Sequence, residues 1–290
     1  MRMHTSAMEQ SSRLFLPSPS VMVAAVVVAA LCWAYWLILP GLVAQWWREP
    51  EYSHAFLIPL ISGYLAWSRR DALARVVIKP GYWGLALMAG ALLLYVTGKV
   101  GADLFLQRVS LVLMVTGGLL YVAGGPVLSA LMFPLAFLLL MIPLPGIVFN
   151  SIAFPLQLLA AQVSSVALEA VGVPVFREGN VMHLAAASLD VEEACSGIRS
   201  LMSLVALGVL YSHLALSNWT PRILLMLLVA PVAIAANVLR VFVTGLLAHY
   251  VSVDTALGVF HLAGGWSVFL LAGALLLGAS RLMRAAGISK

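Results

Sequence analysis

Apolar runs of about 20 residues follow one another along this chain with little polar sequence between them. A helix that crosses the hydrocarbon of a bilayer needs about 20 mostly apolar residues. Such runs extend approximately over 21–43, 53–68, 82–98, 104–123, 127–142, 196–216, 223–248 and 259–280. Soluble domains carry about 25% charged residues, whereas only 9% of this chain is charged and 63% is hydrophobic. A mean hydropathy of +1.04 agrees. The same figures exclude disorder. The first run is long and many others follow it, so it reads as a retained span and not as a cleaved signal peptide.

These runs predict an all-α membrane protein, a polytopic bundle of about eight transmembrane helices. The second is short and opens with the polar triplet Tyr52, Ser53, His54, after Trp46 and Trp47, which suit an interfacial aromatic belt. A further stretch over 147–170 contains Asn150, Gln157, Gln162, Ser164, Ser165 and Glu169, and Pro155 interrupts it. Gln162, Ser165 and Glu169 share one helical face by their spacing. That pattern predicts an amphipathic segment that lies in the interface, lines a cavity or re-enters from one side. Residues 1–20 and 284–290 are expected as cytoplasmic tails around a single membrane domain over 21–283.

Positive charge arbitrates the topology, since cytoplasmic loops are enriched in Lys and Arg. If 147–170 does not span and the N-terminus is cytoplasmic, Arg2, Arg13, Arg69, Arg70, Arg75, Lys79, Arg222, Arg281, Arg284 and Lys290 lie inside. Only Arg48, Lys99 and Arg177 then lie outside, with Arg108, Arg199 and Arg240 inside spans. If the segment does span, everything after it flips and the bias nearly vanishes. The eight-span arrangement is therefore expected, with residues 171–195 extracytoplasmic. The stretch from Gly172 to Leu189 is punctuated by polar residues, in a pattern open to short strands.

Three reactive residue types then meet in one leaflet from consecutive spans. Cys195 lies in Val191-Glu192-Glu193-Ala194-Cys195-Ser196-Gly197-Ile198-Arg199-Ser200, just before an apolar helix. A helix N-terminus lowers a thiol pKa, and Arg199 four residues on adds a cation, so both favour the nucleophilic thiolate. Desolvation opposes them, and taken alone Cys195 reads first as a small packing residue. Arg240 follows Asn237 by three residues in an otherwise apolar run. Burying it costs at least about 2.5–3.5 kcal/mol, which demands a partner, a cavity or a function, unless it snorkels to the outer interface. Asn237 is placed to hold its guanidinium. His261 opens the run His261-Leu262-Ala263-Gly264-Gly265-Trp266 and titrates near neutral pH. His54, His183, His213 and His249 rival it as a base.

Other chemistries fail on spacing. Cys32 and Cys195 make no CxxC or zinc pattern, so neither a disulfide framework nor a metal site is expected. Glu192-Glu193 is followed by Gly197 where an intramembrane CAAX-type protease needs arginine. There is no Gly-x-Ser-x-Gly elbow, HExxH helix or Walker loop. No cofactor is called for.

The sequence resembles the exosortase family, within the exosortase and archaeosortase group of membrane transpeptidases. The matching stretches are Glu51-Tyr52-Ser53-His54-Ala55-Phe56-Leu57-Ile58-Pro59, Ile142-Pro143-Leu144-Pro145, Phe154-Pro155-Leu156-Gln157 and Gly179-Asn180. They continue with Glu193-Ala194-Cys195-Ser196-Gly197-Ile198-Arg199-Ser200, Asn237-Val238-Leu239-Arg240-Val241 and His261-Leu262-Ala263-Gly264-Gly265, in family order over roughly 46–270. Ala55 stands where the family pattern has glycine.

The resemblance implies a cysteine peptidase or transpeptidase of the bacterial inner membrane, its site facing the periplasm. Cys195, Arg240 and His261 would be catalytic; Arg199 and Asn237, by their helical spacing, and His54 are the expected supporting or substrate-binding residues. The implied partners are exported proteins with a PEP-CTERM-type tail (a Pro-Glu-Pro motif, a transmembrane helix and a basic cluster), the bilayer, and an acceptor nucleophile; nucleic acid is not among them. The alternative is a non-enzymatic transporter or assembly factor for exopolysaccharide or lipid. It would leave the Cys motif and the shared leaflet as coincidence.

Overall fold

A computed structural model describes residues 19–185, 188–190, 197–253 and 259–287. The N-terminal half contains α1 (Pro19–Tyr35), α2 (Ile38–Arg48), a 3-10 turn (Pro50–Phe56), α3 (Leu57–Ser68), α4 (Arg70–Leu73), α5 (Trp83–Val100) and α6 (Leu104–Ala123). Next come α7 (Gly125–Phe137), which tightens into a 3-10 turn over Leu138–Met141, and α8 (Gly146–Ala170). A sheet of β1 (Val175–Glu178), β2 (Val181–Leu184) and β3 (Ser188–Asp190) precedes α9 (Gly197–Ala215), α10 (Trp219–Tyr250) and α11 (Val259–Ala285). The protein is an all-α membrane protein with one small sheet.

Four helices among the described residues, α5, α6, α8 and α10, are long and apolar enough to cross a membrane. Val28–Tyr35 and Ile38–Arg48, bent by 50°, make a fifth if they act as one span. Two of the expected eight runs fall short for physical reasons. The run over 53–68 spends its first residues in the 3-10 turn and leaves a 12-residue helix. The run over 127–142 gives 13 α-helical residues before the backbone tightens.

The largest departure is 147–170, expected as interfacial or re-entrant. It is one continuous 25-residue helix with Pro155 inside it, about 37 Å long at 1.5 Å per residue. Its buried face is Gln157, Ala160, Ala161, Ser164 and Leu168, whereas Gln162 and Glu169 are exposed. The polar residues that suggested a headgroup-facing stripe are thus divided. Small ones are turned onto α10, where Ser164 Oγ donates to the Val238 carbonyl at 3.1 Å. Leu168 fills the space left by Gly245: a Cβ built there would lie 2.6 Å from Leu168 Cδ1.

The topological choice posed by the sequence receives a third answer. Ala130 of α7 accepts from Arg69 and Phe133 stacks on His213 of α9, while Phe137 and Met141 reach the cluster that holds Ala206. So α7 runs away from the Arg69 end. Leu156 packs against the cluster that holds Ala233 and Ala236, then Ser164 meets Val238 and Leu168 meets Gly245, so α8 runs parallel to α10. The Ile142–Pro145 link is extended at both ends, with ψ of 118° at Ile142 and 136° at Pro145. The chain therefore continues through this link in one direction and does not turn back. Adding α8 as a long helix reverses nothing downstream.

The two ends of the bundle differ. At one end Arg69 approaches His213, Arg222 Nε donates to the Leu216 carbonyl at 2.8 Å, and Arg284 Nη2 donates to the Tyr211 hydroxyl at 2.9 Å. At the other end the antiparallel sheet, in order β1-β2-β3, closes over α8 and α10. Gly179 takes a φ of +64° in the two-residue turn Gly179-Asn180 between Glu178 and Val181, as the first central position of a primed hairpin turn requires. Alternation along β2 turns Met182 and Leu184 inward, and Leu189 joins them against Leu168, Val241 and Ala248.

Candidate active site

The three elements expected to carry the reactive residues converge at the sheet end. Gly208 faces Val229, and Arg222 reaches back to His213, so α9 and α10 are antiparallel. On α11, Gly273 faces Leu207 and Ser280 Oγ lies 2.8 Å from the Tyr211 hydroxyl, so α11 runs parallel to α9. The start of α9, the second half of α10 and the start of α11 consequently share one end.

Arg240 is 3% exposed on α10 and is not left unpaired. It stands 10 residues, about 15 Å, before the helix ends at Tyr250. That burial rejects snorkelling, which would place the guanidinium in the headgroup layer. One turn earlier, Asn237 Oδ1 is buried and accepts no hydrogen bond among the described residues. A buried carbonyl oxygen without a donor is costly by about 1–3 kcal/mol, and it stands beside the cation that the sequence flagged. The Ser164 bond to Val238 fixes the backbone between these two residues.

Cys195 lies outside the described residues, between the strand that ends at Asp190 and the helix that begins at Gly197. Arg199 occupies the first turn of α9 and His261 the first turn of α11; their side chains lie outside the described set. His183 is on β2, where its Nδ1 lies 2.7 Å from Ser188 Oγ. His213 and His249 lie on α9 and α10, at opposite ends of the bundle.

His54 lies in the 3-10 turn Pro50–Phe56. The Pro50–Phe56 turn lies between helices, outside the candidate spans, and packs on α9. There His54 Nδ1 donates to the Glu51 carbonyl at 3.1 Å, and burial pushes the imidazole below its ordinary range despite that bond and one to the Leu140 backbone.

Around that turn stands a polar network absent from the sequence-based site. Arg108 of α6 is 4% exposed and donates to Gln45 Oε1. Gln45 Nε2 in turn donates to both Glu49 carboxylate oxygens, at 2.9 and 2.8 Å. Trp46 Nε1 donates to the Met141 carbonyl at 2.8 Å, and Tyr52 hydrogen bonds to the Leu144 backbone. The signal that found Arg240, an arginine inside an apolar run, applies equally to Arg108. These bonds lock the Glu51–Pro59 and Ile142–Pro145 stretches to one another and to α6. No group of three or more His, Cys, Asp or Glu suited to a metal exists among the described residues.

Fold and site together define a polytopic helical membrane protein that buries one arginine in the seam under an end-capping sheet and another beneath a proline-flanked turn. The family model described as transmembrane exosortase matches residues 46–278. The chain therefore belongs to the transmembrane exosortase family, and the match takes in both buried arginines. Comparison with curated proteins and with solved structures returns no match.

Proposed function

We propose that this protein is a membrane-embedded cysteine transpeptidase that removes a C-terminal PEP-CTERM-type sorting tail from exported proteins. Family membership supports the transpeptidase class. The observation that carries the site assignment is Arg240, buried to 3% exposure in an apolar helix and in the half of α10 nearest the sheet. A guanidinium held in a low-dielectric helix seam strongly favours negative charge that develops beside it. An attacking thiolate, and then the oxyanion of a tetrahedral intermediate, are such charges.

In this reading the Cys195 thiolate attacks the carbonyl carbon of the substrate peptide. Arg240 stabilises the oxyanion. As the C–N bond breaks, His261 gives its proton to the leaving amine and a thioester remains. The acceptor nucleophile then attacks the thioester, His261 takes its proton, and the thiolate is released. Asn237 Oδ1 accepts a hydrogen bond from the substrate backbone, Arg199 assists the thiolate, and His54 holds its turn against α9. The bacterial inner membrane is the proposed location. The basic end, with Arg69, Arg70, Arg222 and Arg284, faces the cytoplasm by the positive-inside rule, which leaves the sheet end toward the periplasm.

The test is mass spectrometry of a tagged, cognate sorting-tail substrate co-expressed with the wild type or with Cys195→Ala. A shortened substrate seen only with the wild type is expected, and the mass added at its new C-terminus names the acceptor. Full-length substrate in both, with folded protein, overturns the enzyme in favour of a transport or assembly role.

A further inference from the structure

At the end of the bundle opposite the sheet, three elements bring cationic or donor groups together with no carboxylate among them. Arg69 follows α3, His213 lies in the last turn of α9, and Arg222 lies in the first turn of α10. Arg69 Nη2 is 3.4 Å from His213 Nε2, and Arg222 Nη2 donates to the His213 carbonyl at 3.4 Å. Arginine only donates, so His213 Nε2 accepts and the ring proton sits on Nδ1, where it is a further donor. The ring is fixed by stacking on Phe133, with centroids 3.5 Å apart and planes inclined by 5°. Among the described residues neither Arg69 nor Arg222 forms an ion pair; the pairs present are Arg70 with Asp71 and His183 with Glu178.

An independent feature fixes the depth of this cluster. Trp67 and Trp219 are 60% and 75% exposed at the same end, with the guanidinium of Arg70 over one ring at 4.1 Å and that of Arg222 over the other at 5.6 Å. Exposed tryptophans at helix ends mark the headgroup layer. One guanidinium at the His213 imidazole and a second at the His213 backbone carbonyl, at headgroup depth and outside any ion pair among the described residues, are complementary to a phosphodiester.

We propose that Arg69, His213 and Arg222 form a binding site for the phosphodiester headgroup of an anionic lipid of the phosphatidylglycerol class. The lipid phosphate supplies the missing negative charge, accepts from both arginines and from His213 Nδ1, and ties the ends of α3, α9 and α10 together. Lipid retention would then stabilise the bundle at the end remote from the sheet.

Native mass spectrometry of the full chain, released from detergent with defined lipid added, tests the site. The wild type is expected to retain phosphatidylglycerol in preference to phosphatidylcholine. Loss of Arg69 or Arg222 is expected to weaken retention about fivefold each, at about 1 kcal/mol per surface arginine. The control Arg75→Gln/Arg281→Gln removes the same charge from the same end without touching the cluster, and retention should stay near the wild-type level. Equal loss in Arg69→Gln/Arg222→Gln and in the control overturns the proposal, because a diffuse field then accounts for binding. Displacement of the lipid by millimolar inorganic phosphate overturns the lipid as occupant. Should the cluster variant fail to fold, the wild type still decides: equal retention of both lipids sinks the site.

Discussion

The Ser164 hydroxyl crosses the α8–α10 seam to the Val238 carbonyl, 3.1 Å away and two residues before the buried Arg240. Val238 lies one residue after Asn237, so a single interhelical bond fixes the backbone between both polar residues of this seam. Ser164 is fully buried. Ser164→Ala is expected to cost about 1 kcal/mol, and Ser164→Leu about 1–3 kcal/mol through overpacking. Thermal melting in detergent should rank the wild type above Ala and Ala above Leu.

The α5–α6 hairpin gives a sharper test of close approach. A Cβ at Gly84 would lie 2.4 Å from the Tyr121 backbone nitrogen and 2.6 Å from the Gly117 carbonyl oxygen. Backbone cannot yield as a side chain does, so Gly84→Ala must separate the two helices. Gly90, on the same helix, meets nothing within 4 Å. Gly90→Ala should therefore be neutral or slightly stabilising, and Gly84→Ala should lower the melting temperature by several degrees. Equal melting of the two variants would refute this packing.

Gln45 mediates between a buried cation and a carboxylate that do not touch as an ion pair. Gln45→Leu removes the acceptor for Arg108 and the donor for Glu49 in one step. A loss of about 1.5–3 kcal/mol follows for bonds to charged groups. Gln45→Glu, which keeps an acceptor for Arg108 but sets a second negative charge against Glu49, should fall between the two. Urea-midpoint measurements in mixed micelles check the order.

Arg240 bears on the proposed chemistry. Arg240→Lys keeps the charge but loses the planar fork, and Arg240→Ala loses both. If Arg240 faces the oxyanion, substrate processing falls about 100-fold or more in Arg240→Ala, with partial activity in Arg240→Lys. Pulse-chase quantification of cleaved tail reads the difference, provided both variants elute from sizing columns as the wild type does.

What the sequence revealed and what it concealed divide by the range of the interaction. Helices and membrane residence follow from local composition, and the burial of Arg240 follows from the cost of an arginine among alanines and valines. The 147–170 segment reads as amphipathic along the chain because Gln162, Ser165 and Glu169 share a face, yet Gln157, Ser164 and Ser165 are buried. Only the seam with α10, more than 70 residues away, shows that their face is interior. Arg108 has the same property: its partner Gln45 is 63 residues distant, and nothing near it in the chain marks the pairing. Pro143 and Pro145 stand out along the chain, yet the direction of the link that holds them emerges only from what α7 and α8 touch.

The extended Ile142–Pro145 link joins two helices that travel the same way, and the downstream helix is seated at fixed contacts, Ser164 on Val238 and Leu168 on Gly245. Such a link is a ruler. A residue added to it would drive α8 along its axis by about 1.5 Å and rotate it by about 100° if the helix absorbed the change, so both contacts would miss together. Most surface loops accept an extra residue at little cost. In this protein the least forgiving length is that of a four-residue connector which itself carries no reactive group.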